Sequence, residues 1–474
     1  MKKSFIDSRV FIFFTYLLIK KVKKMELALA GRQLSVSDLE KSQLLASELE
    51  HQVTLFEKIP AIIKLKSNHW QCQRCGNQTE FKQLNKEIVY CINCLQLGRI
   101  SSAEFLYRFP AYQHQVDDSP LLTWHGQLSD EQHRASTAMC NKLHQYQKIH
   151  IIQAVTGAGK TEMIFKVIEK VLQQGGRVAM ASPRIDVCLE LAPRLQEAFR
   201  SVKVITLHGT MTEAYHYTRI VIATTHQLWK FYHAFDLIIV DEVDAFPLAG
   251  DDSLHFAVKN ALKKQGKLIY LTATPDSYIE KLIRRKKAER TILPARYHRY
   301  PLPEPKFIWI GDWRQQIKSK KTSGPLMVKI KQFLILKGVK LIFMPDILLA
   351  EALYEWLQAE ALANKMAVVH AKDNLRKEKV HQLRQGELST LISTTILERG
   401  VTFTNCQVMI IGSEDRAYSS SAIIQMSGRV GRKPNYPTGA LWYAHYGISL
   451  SMIKARHNIR KMNRLARKMG LLND

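Results

Sequence analysis

The stretch Ala154-Val155-Thr156-Gly157-Ala158-Gly159-Lys160-Thr161 decides how the rest of this 474-residue chain is read. It follows an apolar, strand-like run from Ile149 to Gln153 and opens a helix-like run from Glu162 to Leu172. A glycine-rich turn between strand and helix lets backbone N–H groups and a helix N-terminus hold a polyphosphate. Thr156, Gly157 and Gly159 form the body of that turn, and the glycines allow close backbone approach. Lys160 is placed to reach the β- and γ-phosphates, and the Thr161 hydroxyl to hold Mg²⁺. Ala154 stands where the general pattern has glycine, so the match is imperfect at its first position. The reading is a nucleoside triphosphate site.

Outward from this loop, apolar strand runs alternate with helix-like runs between Gly126 and Arg299: 150–155, 177–182, 220–225, 235–242 and 267–274. Near-continuous apolar strands separated by helices predict a parallel sheet covered on both faces. Prolines at 294, 301, 303 and 305 and the polar stretch 319–325 then mark a linker. A second strand series follows at 339–345, 366–371, 389–394, 406–412 and 439–445. The expected division is residues 126–300 as a first lobe, 301–325 as linker, 326–450 as a second lobe and 451–474 as a basic C-terminal helix.

Asp241-Glu242-Val243-Asp244 closes the most apolar strand of the first series. At a strand's carboxyl end, Asp241 can complete the Mg²⁺ shell, and Glu242 can orient and deprotonate an attacking water. Thr272-Ala273-Thr274 ends a later strand, where hydroxyls can hydrogen-bond the acidic turn. In the second series, Gln425-Met426-Ser427-Gly428-Arg429-Val430-Gly431-Arg432 carries two arginines three apart. On a helix they share one face. Across a cleft they can act on a γ-phosphate, worth ~10³–10⁵ in rate in other NTPases; a structural ion-pair role is the alternative. Ser393-Thr394-Thr395-Ile396-Leu397-Glu398-Arg399-Gly400-Val401 ends another strand in hydroxyls and a glycine turn suited to phosphates, with Gly400 as a nucleotide contact.

Seven cysteines divide into four and three. Cys72-x₂-Cys75 and Cys91-x₂-Cys94, with fifteen residues between the pairs, have the spacing of two knuckles that close a tetrahedron around Zn²⁺. Four thiolates leave no open position, so the expected zinc is structural, within a module at 69–98 of an N-terminal region 25–125. Cys140, Cys188 and Cys406 read as small buried hydrophobes.

Lys and Arg outnumber Asp and Glu by 69 to 42, a net charge of +27. That sign attracts polyanions, nucleic acid first and an anionic membrane surface second. Residues 1–24 are treated apart. Val10 to Ile19 is a ten-residue apolar run between lysine clusters. As a helix it reaches ~15 Å, about half of a ~30 Å hydrocarbon core. It reads as a membrane-surface anchor or as a translated upstream extension before Met25, the second reading preferred.

The ordered set AVTGAGKT, DEVD, TAT, STTILERGV and QMSGRVGR resembles superfamily 2 helicases and translocases, over about Leu128 to Ala444. The resemblance implies two tandem RecA-like α/β lobes with ATP between them. An alanine at the start of the phosphate loop is usual in that superfamily. It makes Gln132, in LSDEQ, the adenine-reading glutamine, puts Gln425, Arg429 and Arg432 at the catalytic centre, and matches Ser182-Pro183-Arg184, Gly209 and Thr224-Thr225 to strand-contacting segments. A four-cysteine module ahead of the lobes, preceded by Gly31-Arg32-Gln33-Leu34, is similar to the late competence protein ComFA family. That likeness implies an ATPase driven by single-stranded DNA that draws transforming DNA through a membrane channel. It implies other competence proteins as partners, with a homo-oligomer as a further option, and a cytoplasmic location, peripheral on the inner face of the membrane. The rivals are a PriA-like 3′–5′ helicase of replication restart or repair and an ATP-gated DNA clamp that does not translocate. In PriA the cysteine-rich insertion lies between or within the lobes, whereas here all four cysteines precede Lys160.

Two basic patches could hold the strand: Arg284-Arg285-Lys286-Lys287 with Arg290, Arg296 and Arg299, and an amphipathic run from Lys454 to Lys468. Either could instead be a solvated face. Trp229, Trp313 and Trp442 are candidate base-stacking aromatics.

Overall fold

The computed structural model describes residues 26–41, 56–66, 69–85, 87–395 and 403–473. Residues 1–24 and Gly400 therefore lie outside the described residues.

The N-terminal region is built from seven short strands: β1 (Gln33–Ser35), β2 (Glu57–Pro60), β3 (Ile62–Lys64), β4 (Trp70–Cys72), β5 (Phe81–Gln83), β6 (Val89–Cys91) and β7 (Phe105–Arg108). They pair antiparallel as a three-stranded sheet β1-β7-β2 and two hairpins, β3-β4 and β5-β6. Two parallel sheets follow, one in each RecA-like lobe. The first contains β8 (Ile149–Ala154), β9 (Val178–Ser182), β10 (Val204–Leu207), β11 (Ile220–Thr224), β12 (Phe235–Val240), β13 (Leu262–Thr272) and β14 (Ala288–Leu293). Its order is β10-β11-β9-β12-β13-β8-β14, parallel throughout. The second contains β15 (Lys306–Trp309), β16 (Val339–Phe343), β17 (Met366–Val369), β18 (Thr390–Ser393), β19 (Cys406–Ile411) and β20 (Leu441–His445). Its order is β15-β20-β19-β16-β18-β17, again parallel throughout.

Strand alternation divides the first lobe into two cores. Ile238 and Val240 of β12 face one layer while Leu237 and Ile239 face the other, and all four are fully buried. The first layer is continuous with the N-terminal region: Ala61, Ile62, Val89, Ile100 and Leu106 share one cluster with Trp229, Leu254 and Val258. The cysteine module is therefore packed into the lobe and is not a free-standing appendage.

In the two parallel sheets three strands depart from the expected set, β10, β14 and β15, and none of β1–β7 in the N-terminal region was expected. β15 and the helix Trp313–Ser319 fall inside the stretch 301–325 expected as linker. Lys306–Trp309 pairs with Trp442–His445, so the second lobe's sheet begins there, straight after the prolines. The C-terminal helix runs Leu450–Lys468 and buries Met452, Ala455, Ile459, Met462 and Ala466. Of the apolar positions in its sequence pattern, Ile453 and Met469 are exposed. The same helix reaches the first lobe's core through Met462 and bonds Leu302 through Asn463 in both directions, at 2.8 and 2.9 Å.

Candidate nucleotide cleft and cysteine cluster

β8 delivers the phosphate loop at its carboxyl end. Gly157 and Gly159 adopt φ of +86° and +70°, the left-handed region in which glycine is unstrained. The loop enters a 3₁₀ turn, Glu162–Ile164, before the α-helix Phe165–Gln173 begins, a tighter start than the sequence pattern suggested. Gln132 sits in a capping box at the start of the helix Asp130–Lys142: its Oε1 accepts from the Ser129 N–H (2.9 Å). Its Nε2 donates to the carbonyls of Ala158 and Gly159, both at 3.0 Å. The glutamine ties that helix to the phosphate loop, and a Cβ on Gly159 would fall 2.2 Å from its amide.

The acidic turn follows β12, two strands away in the sheet. Asp241 Oδ1 accepts the Glu242 N–H at 2.8 Å and lies 3.8 Å from Lys160 Nζ. Glu242 is held at φ +54°, an uncommon conformation for a residue with a side chain and one concentrated at functional sites. Asp244, further along, accepts from Thr272 and Thr274, each at 2.7 Å, so the hydroxyls of that strand end do hold the acidic turn. Ser421, from the second lobe, also donates to Asp244 at 2.7 Å. One carboxylate thus joins the acidic turn, β13 and the opposite lobe. Behind them, burial pushes the Cys188 thiol up to about 12, with Asp241 and Glu242 adding to the shift.

From the second lobe, the helix Ser420–Ser427 points its carboxyl end at the phosphate loop. A Cβ on Gly428 would meet Thr156 Oγ1 at 2.2 Å, so only glycine permits this approach. Arg429 and Arg432 do not lie on the helix: it ends at Ser427, and Gly431 at φ +67° turns the chain away. Arg432 Nε donates back to the Gly428 carbonyl at 2.8 Å. Arg429 is 1% exposed beneath it. Burial holds its guanidinium pKa well below the usual value, Arg432 adds to this, and Glu242 opposes it.

These segments surround a cleft of about 650 Å³. Gln132, Thr156, Gly157, Gly159, Lys160, Thr161, Asp241 and Glu242 line it from the first lobe, Gln425 and Arg432 from the second. Arg429 is not on its wall.

The four cysteines also converge. All four are fully buried, and their sulfurs lie within 4.8 Å of one another. The Cys72–Cys94 and Cys75–Cys91 sulfurs are 3.7 and 3.5 Å apart. A tetrahedron with ~2.3 Å metal–sulfur arms has edges of about 3.8 Å, so the cage fits Zn²⁺. Arg74, between the first pair, donates to Cys94 Sγ (3.4 Å) and to the carbonyls of Cys94 and Gly98. Its other face meets Asp38 at 3.7 Å, and Asp38 meets Lys230 of the first lobe at 3.0 Å. The Gly31-Arg32-Gln33-Leu34 segment docks on the same place: Arg32 and Gln33 donate to the Lys230 and Trp229 carbonyls.

Other expectations for strand binding change. Trp229 and Trp313 are 2% and 0% exposed, and Trp442 packs on Phe333, so none is a free stacking platform. Arg284 to Lys287 are exposed but precede β14, at the amino edge of the sheet. Ser182-Pro183-Arg184, Gly209 and Thr224-Thr225 follow the carboxyl ends of β9, β10 and β11, on the same edge as the phosphate loop.

Residues 125–277 match the family Type III restriction enzyme, res subunit, and residues 331–434 the Helicase conserved C-terminal domain. Residues 19–108 match the Competence protein ComFA N-terminal domain. Competence protein ComFA of Bacillus subtilis (strain 168) is 38% identical over 413 residues, 86% of this chain and 88% of that protein. Competence protein ComFA of Streptococcus pneumoniae (strain ATCC BAA-255 / R6) is 43% identical over 419 residues, 88% of this chain and 95% of that one. The chain belongs to the ComFA family. Its motor is that of a superfamily 2, DNA-dependent ATPase. Among solved structures, S. cerevisiae Dbp5 bound to RNA and ADP BeF3 is similar in fold, with a TM-score of 0.53 at 15% identity over 71% of this chain and 88% of that one. In this chain the region matching the ComFA N-terminal domain carries the four cysteines and precedes the two motor lobes. No helix among the described residues is long and apolar enough to cross a membrane.

Proposed function

We propose that this ComFA-family chain is an ATP-driven translocase of single-stranded DNA that powers the import of transforming DNA during natural competence. The observation that carries the reading is the cleft itself, lined by phosphate-binding, acidic and arginine side chains from two lobes. ATP bound there supplies the free energy for the cycle. The backbone N–H groups at Gly157 and Gly159 and the Lys160 ammonium hold the polyphosphate, while Thr161 and Asp241 hold Mg²⁺. The Glu242 carboxylate accepts the proton of the attacking water. Gln425 and Arg432 come from the opposite lobe, so the charge developing on the phosphoryl oxygens is met only when the lobes are together. Arg429 supports Arg432 from beneath. Gly400, outside the described residues, is kept in this reading as a nucleotide contact. Hydrolysis then alternates the lobes between closed and open, and segments at the carboxyl edges of both sheets pass the strand along.

In the same reading, Cys72, Cys75, Cys91 and Cys94 hold a structural zinc. The chain works on the cytoplasmic face of the membrane, peripheral to a DNA channel and in company with other competence proteins, with self-association as a further mode.

The test is the ATPase rate of the full chain with single-stranded DNA, blunt duplex and RNA, beside a strand-displacement assay. Stimulation by single-stranded DNA well above duplex, with little unwinding, is expected, because a motor that pulls an already single strand needs no duplex-splitting wedge. Binding should weaken steeply with salt as phosphate contacts release counterions. Loss of the gene should impair uptake of transforming DNA and leave growth and repair normal. Efficient unwinding of forked duplex with a repair defect supports the PriA-like helicase instead, and hydrolysis without movement supports the clamp.

A further inference from the structure

Arg296 is 2% exposed, one of the largest fully buried side chains among the described residues. The sequence pattern grouped it with the basic patch that begins at Arg284, but it faces inward, to the lobe interface. Its Nη1 donates to the carbonyls of Val430 (2.8 Å) and Gly431 (2.5 Å) in the second lobe. Those two residues are the link between Arg429 and Arg432. Among the described residues, its Nε and Nη2 have no hydrogen-bond partner. Burial, helped by the nearby charge of Arg432, brings its pKa down to about 9.

The same short segment is also fastened to the phosphate loop. Tyr297 N–H donates to the Gly157 carbonyl at 3.1 Å, and a Cβ on Gly157 would stand 3.6 Å from Arg296 Cγ. His298 adds a second hold on the far side. Tyr300 N–H donates to His298 Nδ1 (3.2 Å), which leaves the proton on Nε2, and Nε2 donates to the Gly431 carbonyl at 2.9 Å. Three consecutive residues of the first lobe thus join Gly157, inside the nucleotide loop, to Gly431, one residue before Arg432.

We propose that Arg296 is a positioning residue for catalysis: it couples the phosphate loop to the Arg429–Arg432 turn and so sets where Arg432 stands in the closed cleft. The inference rests on the proposed ATPase cleft and adds a coupling element to it. A guanidinium suits the task because one Nη can serve two carbonyls while its stem lies flat against Gly157. Placing a buried cation beside Arg432 is costly in isolation, and the arrangement favours an anion in the neighbouring cleft. Arg296 touches no reacting atom. Its effect passes through Arg432, so its loss should appear in turnover more than in ground-state nucleotide binding.

The experiment compares Arg296→Ala, Arg296→Lys and His298→Ala with Arg432→Ala in the full-length protein. The readouts are kcat and KM for ATP with single-stranded DNA present, and affinity for ADP with and without aluminium fluoride. Misplacing a catalytic group by ~1 Å costs up to ~10²-fold, so Arg296→Ala should lower kcat by about tenfold or more. KM should stay within about twofold, the pattern of an interaction made only in the transition state. The added affinity given by aluminium fluoride should fall in parallel. Arg296→Lys, which keeps a cationic donor, should recover part of both, and His298→Ala should lose a smaller part. If Arg296→Ala does not fold, the lysine and His298 variants still decide. Wild-type kcat and aluminium fluoride affinity in both of those, with Arg432→Ala inactive, would overturn the positioning role alone. Full activity in Arg432→Ala would fault the proposed function itself.

Discussion

The nucleotide cleft and the cysteine cluster are both assembled from distant segments, but they are held in opposite ways. Around the cleft, with Met462 of the C-terminal helix as an apolar contact to the first lobe, the lobes meet through polar contacts: Ser421 on Asp244, Arg296 and His298 on Gly431, and Arg376 on Asp186 at 2.8 Å. Such contacts can be exchanged for water at small net cost, which suits surfaces that part and rejoin. The cysteine cluster is enclosed by apolar packing that runs without a break into the first lobe, and a Cβ on Gly76 would collide with the Phe256 ring at 2.6 Å. Taking it apart would expose buried hydrophobic surface. The first lobe and cysteine module therefore form one packed body, which faces the second lobe across the cleft.

The sharpest way to break this contrast is at the acidic turn. Glu242→Gln should lower turnover by ~10²–10⁴-fold while ATP and DNA still bind, since only proton acceptance is removed. Lys160→Ala should instead weaken nucleotide binding itself. Steady-state ATPase beside fluorescent-nucleotide titration separates the two, and near-normal turnover in Glu242→Gln would remove the residue from its role.

A second test acts on the cysteine side. Elemental analysis should find one zinc per chain, lost in Cys72→Ser, Cys75→Ser, Cys91→Ser or Cys94→Ser. Because the cluster shares the first lobe's core, chelation should destabilise that lobe as well as the N-terminal strands. Hydrogen exchange confined to residues 56–108 would show a separable module instead.

Smaller in effect is the charged link between them. Arg74→Ala takes one cation from buried Asp38, which keeps its ion pair with Lys230 and its hydrogen bonds from Ser35. Removing one partner from a buried pair costs ~3–5 kcal/mol, and with Lys230 and Ser35 still on Asp38 the loss falls at the low end of that range, measurable as a fall in Tm with zinc still bound. Turnover per folded molecule should change little.

The mildest test is pH. Burial lowers the pKa of both His150 and His255, in the first lobe, to about 4 from an ordinary 6.5. Both are neutral when folded and become protonated more readily when unfolded. Stability is therefore intact above pH 6.5 and declines as pH falls from 6.5 toward 4. His255→Phe should flatten the decline in a series of thermal melts.

Much of this was legible in the sequence, because strong local patterns carried it. The clearest of the expected strands carry runs of four apolar residues buried on both faces, as in β12 and β19. In the parallel sheets the unexpected strands are edge strands: β10 (VITL), β14 (AERTIL) and β15 (KFIW) carry short or interrupted patterns, because an edge is covered on fewer sides, and β1–β7 are only three or four residues each. The phosphate loop, acidic turn and cysteine pairs were readable because spacing alone specifies their geometry. Arg296 was not. Its significance depends on a contact 134 residues away with a backbone carbonyl, which leaves no mark on composition or period. The two arginines at 429 and 432 were found, but their helix was not their setting. Glycines at 428 and 431 end it first.

Movement along a single strand is read out by displacement of streptavidin from the ends of biotinylated single-stranded DNA by the full-length protein. A translocase should give ATP-dependent release from one end only, absent in Glu242→Gln and not accompanied by unwinding of an equivalent blunt duplex. No release from either end, while single-stranded DNA still stimulates hydrolysis, would contradict translocation.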